Sequence, residues 1–218
     1  MSVPVTAPDT ARAEEEPATV DFGGLVIEHG PDVLHPRDWT RLQSLWADEL
    51  LDDAPEGPVL ELCTGAGHIG LLLARLSGRA LVAVDREAAC CATATANAAR
   101  NGLSDRVEVR EAPFESALAD DEVFALALAD PPWVRSAQVS AFPEDPLGAI
   151  DGGLDGLDVA RAAVAAVRGH LAPGGSLLVQ LGDDRQADAL AREADADGWQ
   201  AAGRRHGERG LVLRLRHP

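Results

Sequence analysis

The run Val59-Leu-Glu-Leu-Cys-Thr-Gly-Ala-Gly-His-Ile-Gly-Leu-Leu-Leu-Ala74 constrains the fold more than any other stretch of the chain. Val59 to Cys63 reads as a buried strand behind the turn signal Pro55-Glu-Gly-Pro58, Thr64 to Gly67 as a turn of small residues, and His68 onward as an apolar helix. Strand, glycine turn and helix in that order open a nucleotide-binding α/β unit. Glycine lets a ligand approach the backbone where a Cβ would block it, and the N–H groups at the helix start face a negatively charged ligand group. Gly65, Gly67 and Gly70 also satisfy the Gly-x-Gly-x-x-Gly spacing of dinucleotide sites, so the turn by itself leaves an NAD enzyme open.

Two later stretches narrow the reading. Ala80 to Val84 forms a second buried strand that ends at Asp85, 18 residues after Gly67. An acid there accepts hydrogen bonds from ribose hydroxyls, and it also suits the N-cap of the helix that starts near Glu87. Val123 to Ala129 reads as the fourth strand and delivers Ala129-Asp-Pro-Pro-Trp133. A planar NH2 group needs acceptors in its own plane to orient its lone pair, and the Asp130 carboxylate and Pro131 carbonyl supply them. Pro131 and Pro132 stiffen the turn, and Trp133 offers a flat face for stacking. This combination resembles the signature of class I methyltransferases that modify nitrogen, and it favours S-adenosyl-L-methionine over NAD.

Composition limits the partners. The net charge is −17, from 36 acidic residues against 19 arginines and no lysine, which is a poor balance for neutralising phosphates. The basic cluster Arg204-Arg205-His206 with Arg209 is the best candidate for a local patch, and Glu208 interrupts it. Three cysteines without metal spacing and no secretion signal fit reduced thiols in the cytoplasm, and the six scattered histidines form no ligand set, so no metal is expected. The apolar runs are far short of a membrane span.

Along the chain, residues 1 to 20 read as a disordered tail and 21 to 218 as a single methyltransferase domain. Phe22 to Glu28 reads as a strand or half of a hairpin. A helix from Asp38 or Thr40 to Leu51 is expected to cover the sheet near the cofactor, with Trp39 and Trp46 as packing residues. A helix over Glu87–Arg100 ends at Asn101-Gly102, and Asn97 on it reads as a capping or packing residue. The third strand is Arg106–Arg110. Residues 134 to 158 lack periodicity and are expected to close over the substrate. A helix over Leu157–Leu171, the turn Pro173-Gly-Gly175, a strand over Ser176–Leu181, a helix over Gln186–Asp197 and a hairpin of Trp199–Arg205 with Leu211–Arg216 complete the chain. The expected architecture is a Rossmann-like α/β fold: a mostly parallel seven-stranded sheet with a C-terminal antiparallel hairpin and helices on both faces.

Three further stretches carry a family resemblance. Pro36-Arg-Asp-Trp-Thr40 is similar to the Pro-Arg-Pro-Glu-Thr element, and Asp145-Pro-Leu-Gly-Ala-Ile-Asp-Gly-Gly153 to the Glu-Pro-x-x-Ala-Leu-x-Gly-Gly element, of HemK-type N5-glutamine methyltransferases. Gly153-Leu-Asp-Gly-Leu-Asp158 continues the match. The resemblance implies that Glu61, Thr64, Gly65 and Gly67 line the methionine and ribose side of the cofactor, that Asp85 with Arg86 holds the ribose, and that Arg37 and Thr40 sit near the cofactor entrance. It also implies that Asp130, Pro131, Pro132 and Trp133 hold the target nitrogen, with Asp130 touching the cofactor as well. Some positions depart from the pattern: Asp130 replaces the family's Asn and Trp133 its Tyr, Cys63 stands where the first motif glycine is usual, and the acid usual after the third strand has no match at Ala112-Pro113, although Glu111 is close.

The function expected is N-methylation of a planar amide or amine nitrogen on a protein glutamine or a small molecule, with S-adenosyl-L-homocysteine as product. The alternative is an exocyclic amine in RNA or DNA, which Asp-Pro-Pro-Trp suggests and the charge opposes. The resemblance implies a small activator protein as partner, and the sequence leaves a second copy of the chain open as the alternative.

Overall fold

The computed structural model describes residues 18–216. Most of the tail assigned from sequence lies outside those residues, but Ala18–Val20 belong to a strand. β1 (Ala18–Phe22) and β2 (Leu25–His29) form a hairpin closed by Gly23 and Gly24, both at positive φ (62° and 84°). A two-residue turn with φ above zero at both positions matches the twist of the flanking strands. Phe22, Leu25 and Ile27 are buried.

The main elements follow in order: α1 (Arg41–Leu51), β3 (Val59–Leu62), α2 (His68–Ser77), β4 (Leu81–Asp85), α3 (Ala88–Arg100), β5 (Val107–Glu111) and α4 (Phe114–Ala117). After them come β6 (Phe124–Ala129), α5 (Leu147–Ile150), α6 (Asp158–Val167), β7 (Leu171–Leu181), α7 (Asp184–Ala196), β8 (Gln200–His206) and β9 (Leu211–Arg216). The seven-stranded sheet has the order β5-β4-β3-β6-β7-β9-β8; only the pairings of β9 with β7 and β8 are antiparallel. Strands β3, β4 and β6 are apolar at almost every position because both faces of a parallel sheet are covered. One core gathers α1, α2, α3 and the hairpin, the other α6 and α7. Among the described residues no helix is long and apolar enough to cross a membrane.

Two boundaries differ from expectation. The sixth helix ends at Val167 rather than Leu171, because Gly169 adopts φ 86° and the chain turns out of the helix there. The Pro173-Gly-Gly175 turn lies inside β7 as an irregularity: β6 pairs through Phe124 with Leu171 and resumes with Leu126 opposite Ser176.

Asn97 does more than cap or pack. Its amide bonds to the Glu28 N–H (2.9 Å) and carbonyl (2.8 Å), and Asn101, one turn on, does the same for Val26 (3.0 and 3.0 Å). Residues four apart on a helix thus serve residues two apart on a strand, and the side chains take the place of a neighbouring strand. Asn97 also donates to the Ala66 carbonyl (2.9 Å), which ties the hairpin to the glycine turn.

Candidate active site

The registers of β3, β4 and β6 bring the acids together. Leu62 pairs with Val84 on one side and Ala129 on the other, so Cys63 stands level with Asp85 and Asp130 on adjacent strand ends. Neighbouring strands are about 4.8 Å apart. Three consecutive C-terminal strand ends therefore carry Asp85, Cys63 and Asp130 side by side, at the crevice where open α/β sheets bind ligands.

The glycine turn is held by two carboxylates. Glu61, 2% exposed, accepts from the Gly70 N–H (2.8 Å) and from the Thr64 hydroxyl, so it braces the turn from inside. Asp85 accepts from Gly65 N–H (2.9 Å) and from Glu87 N–H (3.1 Å), and so joins the turn to the residue before α3; it is not the N-cap read from sequence, since Glu87 takes that position and no side chain caps the helix. The glycines differ in role. A Cβ on Gly65 would meet no atom of the described residues within 4 Å, so its face is open; one on Gly67 would press on Ala94 Cβ at 3.1 Å, so Gly67 serves helix packing. Gly70 lies against the Glu61 carboxylate and the Leu81 side chain. A helical Gly→Ala change ordinarily stabilises by about 1 kcal/mol. Gly70→Ala is expected to reverse that sign and cost roughly 1–3 kcal/mol through overpacking, which denaturant unfolding will measure.

Cys63 is the one described non-glycine residue at positive φ (58°). Left-handed backbone costs an L-residue on the order of 1 kcal/mol. Cys63→Gly is expected to recover up to that amount and to raise the thermal midpoint by about 2–4 °C. Burial, with Asp85, Asp130 and Glu61 nearby, pushes the Cys63 thiol well above its usual range, which favours the protonated thiol over the nucleophilic thiolate.

Burial pushes Asp130 up to about 7. Glu61 also reaches about 7, through burial first and then the Asp130 and Asp85 charges, against the pull of its hydrogen bonds from Thr64 and Gly70. Burial raises Asp85 too. Three buried or half-buried acids at adjacent strand ends, with the Asp130 and Asp85 charges raising Glu61, suit a ligand carrying positive charge. S-adenosyl-L-methionine, a sulfonium with an ammonium group, fits this donor set and the open face at Gly65. Arg86 pairs with Glu87 (3.1 Å) and reaches toward Gly148 of α5.

On the far side of Asp130 a cavity of about 390 Å³ is lined by Asp130, Pro131 and Trp133 together with Arg37, Trp39, Thr40, Phe142 and Arg209. Pro132 is not among its lining residues; its carbonyl backs onto Gly152. Thr40 donates to the Arg37 carbonyl (2.7 Å) and lies 3.2 Å from His68 Nε2, linking the residue 37–40 turn to the start of α2. Burial, helped by His35 and His29, lowers His68 to about 3, so its ring is neutral. Segment 134–158 lines one wall of the cavity, and the Arg37–Asp145 ion pair (2.7 Å) ties it to the residue 37–40 turn. Trp46 packs in the core as read, whereas Trp39 faces the cavity between Arg37 (5.7 Å) and Arg209 (5.5 Å). The basic cluster is largely neutralised: Arg204 pairs with Asp184 and Asp188, Arg205 with Glu49, and His206 with Asp184.

Sequence reasoning missed Trp39, Phe142 and Arg209 on the cavity wall, and two buried glutamines, Gln43 and Gln186, behind it. A second open groove of about 420 Å³ lies at the N-terminal ends of β4, β5 and β6, away from the strand ends that build ligand sites.

Residues 44–143 match the family model described as Methyltransferase small domain. The chain is 34% identical over 169 residues to a release factor glutamine methyltransferase of Gloeobacter violaceus, covering 75% of this chain and 59% of the relative. It is 35% identical over 133 residues to a ribosomal protein uL3 glutamine methyltransferase of Bradyrhizobium diazoefficiens, covering 59% and 41%. The chain thus spans well under two thirds of the length of either relative. The crystal structure of a ribosomal protein L11 methylase from Lactobacillus delbrueckii subsp. bulgaricus superposes with a TM-score of 0.63 at 15% identity, covering 86% of this chain and 83% of that one, a likeness of fold.

Proposed function

The chain belongs to the HemK-like family of class I methyltransferases, and from that membership we propose that it methylates a planar amide or amine nitrogen of a protein glutamine or a small molecule. The donor is S-adenosyl-L-methionine and the product S-adenosyl-L-homocysteine. The observation that carries the reading is the level placement of Asp85, Cys63 and Asp130, with the open Gly65 turn on one side of Asp130 and an aromatic-walled cavity on the other.

When bound, the donor supplies a methyl group already activated on sulfonium, so the protein's task is to position the acceptor. The ionised Asp130 carboxylate accepts one N–H of the acceptor and the Pro131 carbonyl the other. Both bonds lie in the plane of the NH2 group and leave its lone pair normal to that plane. Trp133, Trp39 and Phe142 exclude water around the nitrogen and offer flat surfaces. Asp130 is also the carboxylate placed to take the proton released after transfer. Asp85 holds ribose hydroxyls, and Gly65 lets the cofactor approach the backbone. Glu61, Thr64 and Gly67 maintain the turn, while Arg37 and Thr40 shape the entrance.

The exocyclic amine of a nucleobase is the second reading, favoured by Asp130 in place of Asn and by the three aromatic walls. The charge of −17 and the paired Arg204, Arg205 and His206 weigh against a phosphate backbone at this surface. The three free cysteines fit a cytoplasmic setting. Transfer of tritiated methyl from S-adenosyl-L-methionine to a panel of release factors, ribosomal proteins, amine-bearing metabolites and RNA tests the assignment. Label in protein hydrolysed to N5-methylglutamine, or in a small molecule, is the expected result; label removed by ribonuclease would move the assignment to the second reading.

A further inference from the structure

Asp130-Pro-Pro-Trp133 begins where β6 ends, so the sheet holds only its entry. Two side-chain amides grip it at either end. Gln43 of α1 donates from Nε2 to the carbonyl of Ala129 (3.0 Å), immediately before Asp130, and to that of Leu178 (2.9 Å). Gln186 of α7 donates from Nε2 to the carbonyl of Trp133 (2.9 Å), and to those of Asp155 (3.1 Å) and Gly156 (3.3 Å). Its Oε1 accepts from Gly182 N–H (2.9 Å). Gln43 is 0% and Gln186 3% exposed. The helices that carry them pack on opposite faces of the sheet, in the two separate cores.

The surroundings leave no slack. A Cβ on Gly156 would strike both the Gln186 amide and the Trp133 carbonyl, one on Gly182 the Trp133 ring, and one on Gly152 the Pro132 carbonyl. The wall is thus clasped from behind by small residues and by one amide that reaches three carbonyls. Gln43 points the same way for a different reason. Its Oε1 is buried without a hydrogen-bond partner among the described residues. Such an oxygen destabilises a fold relative to an apolar side chain of the same shape. Glutamine at 43 therefore gains its place from what Nε2 holds.

We propose that Gln43 and Gln186 are positioning residues that set the Asp130 carboxylate and the Trp133 ring from the two ends of the tetrapeptide. The consequence for turnover rests on the methyl-transfer reading above; the consequence for geometry does not. Neither glutamine lines the acceptor cavity, so each acts through the wall. A displacement of about 1 Å at reacting groups can cost on the order of 100-fold in rate.

The test uses Gln43→Met, which keeps volume and removes the amide, and Gln186→Glu, which keeps the acceptor for Gly182 and removes the donor to the carbonyls. Proteins labelled with 5-fluorotryptophan are compared by fluorine NMR, with Trp133→Phe assigning the resonance, alongside calorimetric titration of S-adenosyl-L-homocysteine, methyl-transfer kinetics and thermal unfolding. The expected result is a moved or broadened Trp133 resonance in both variants with Trp46 and Trp199 unmoved. Product affinity stays within about twofold, transfer falls roughly 10- to 100-fold in kcat, and Gln43→Met melts no lower than the parent. An unmoved Trp133 resonance, or a loss of transfer that merely tracks a lowered melting temperature, would overturn the proposal. The fluorine spectrum needs no acceptor, so a parent protein without turnover would count against the methyl-transfer reading and still leave the positioning role decided.

Discussion

Asp130→Ala is expected to lower kcat/KM for the methyl acceptor by roughly 10²–10⁴-fold, the range for losing a positioned proton-transfer group, while the binding of S-adenosyl-L-homocysteine changes little. Asp130 closes the acceptor cavity, whereas the groups that hold the turn, Glu61 and Asp85, lie on β3 and β4. The pH dependence follows from its protonation. Burial raises Asp130 to about 7, and the ionised form is the one that accepts a hydrogen bond from the acceptor N–H and then takes the departing proton. Activity should therefore rise from pH 6 to pH 8 and be lost as pH falls through 7. Asp130→Asn restores the family's residue, keeps one in-plane acceptor and should flatten that profile at a reduced plateau. Stability runs the opposite way. A carboxyl whose folded pKa lies above its unfolded value stabilises the fold at low pH, and that contribution disappears as pH rises from about 4 through about 7. Asp130→Asn should thus raise the melting temperature at pH 8 and leave it nearly unchanged at pH 4. Rate profiles and thermal melts of parent and variant at both pH values check the two signs together.

Asp85→Ala carries the second large effect, on cofactor affinity. Charge-assisted hydrogen bonds contribute about 1.5–3 kcal/mol, so losing those to ribose should weaken S-adenosyl-L-methionine binding by roughly 10- to 100-fold. Asp85 also accepts from Gly65 and Glu87 N–H, so alanine removes a brace as well as a ligand. Asp85→Asn separates the two roles, since its amide oxygen can still accept one backbone bond. Calorimetry should show Asp85→Asn weakened less than Asp85→Ala, with unfolding midpoints in the same order. Equal affinity in all three proteins would remove Asp85 from the cofactor site.

How much of this was legible in the sequence depends on the range of the interactions. The ends of β3, β4 and β6 were readable because a strand buried on both faces leaves a continuous apolar run, and because Asp85 and Asp130 mark where those runs stop. The early end of α6 at Val167 was missed because the left-handed Gly169 outweighed an apolar pattern that continues to Leu171. Gln43 and Gln186 could not be singled out: their key partners, Ala129 and Trp133, lie 86 and 53 residues away, and a polar residue on an amphipathic helix ordinarily faces water. Trp39 read as a packing residue because periodicity cannot distinguish the wall of a core from the wall of a cavity. Asn97 and Asn101 carry a fainter signal, identical amides one helical turn apart, which gains meaning only beside the edge of β2.

The measurement that bears most directly on the whole account is equilibrium titration of S-adenosyl-L-methionine, S-adenosyl-L-homocysteine and NAD into the unmodified protein by calorimetry. The account predicts saturable micromolar binding of the first two at one site per chain and none of NAD. Binding of NAD alone would contradict it, since the Gly65, Gly67 and Gly70 turn would then serve a dinucleotide and Asp130-Pro-Pro-Trp133 would need another purpose.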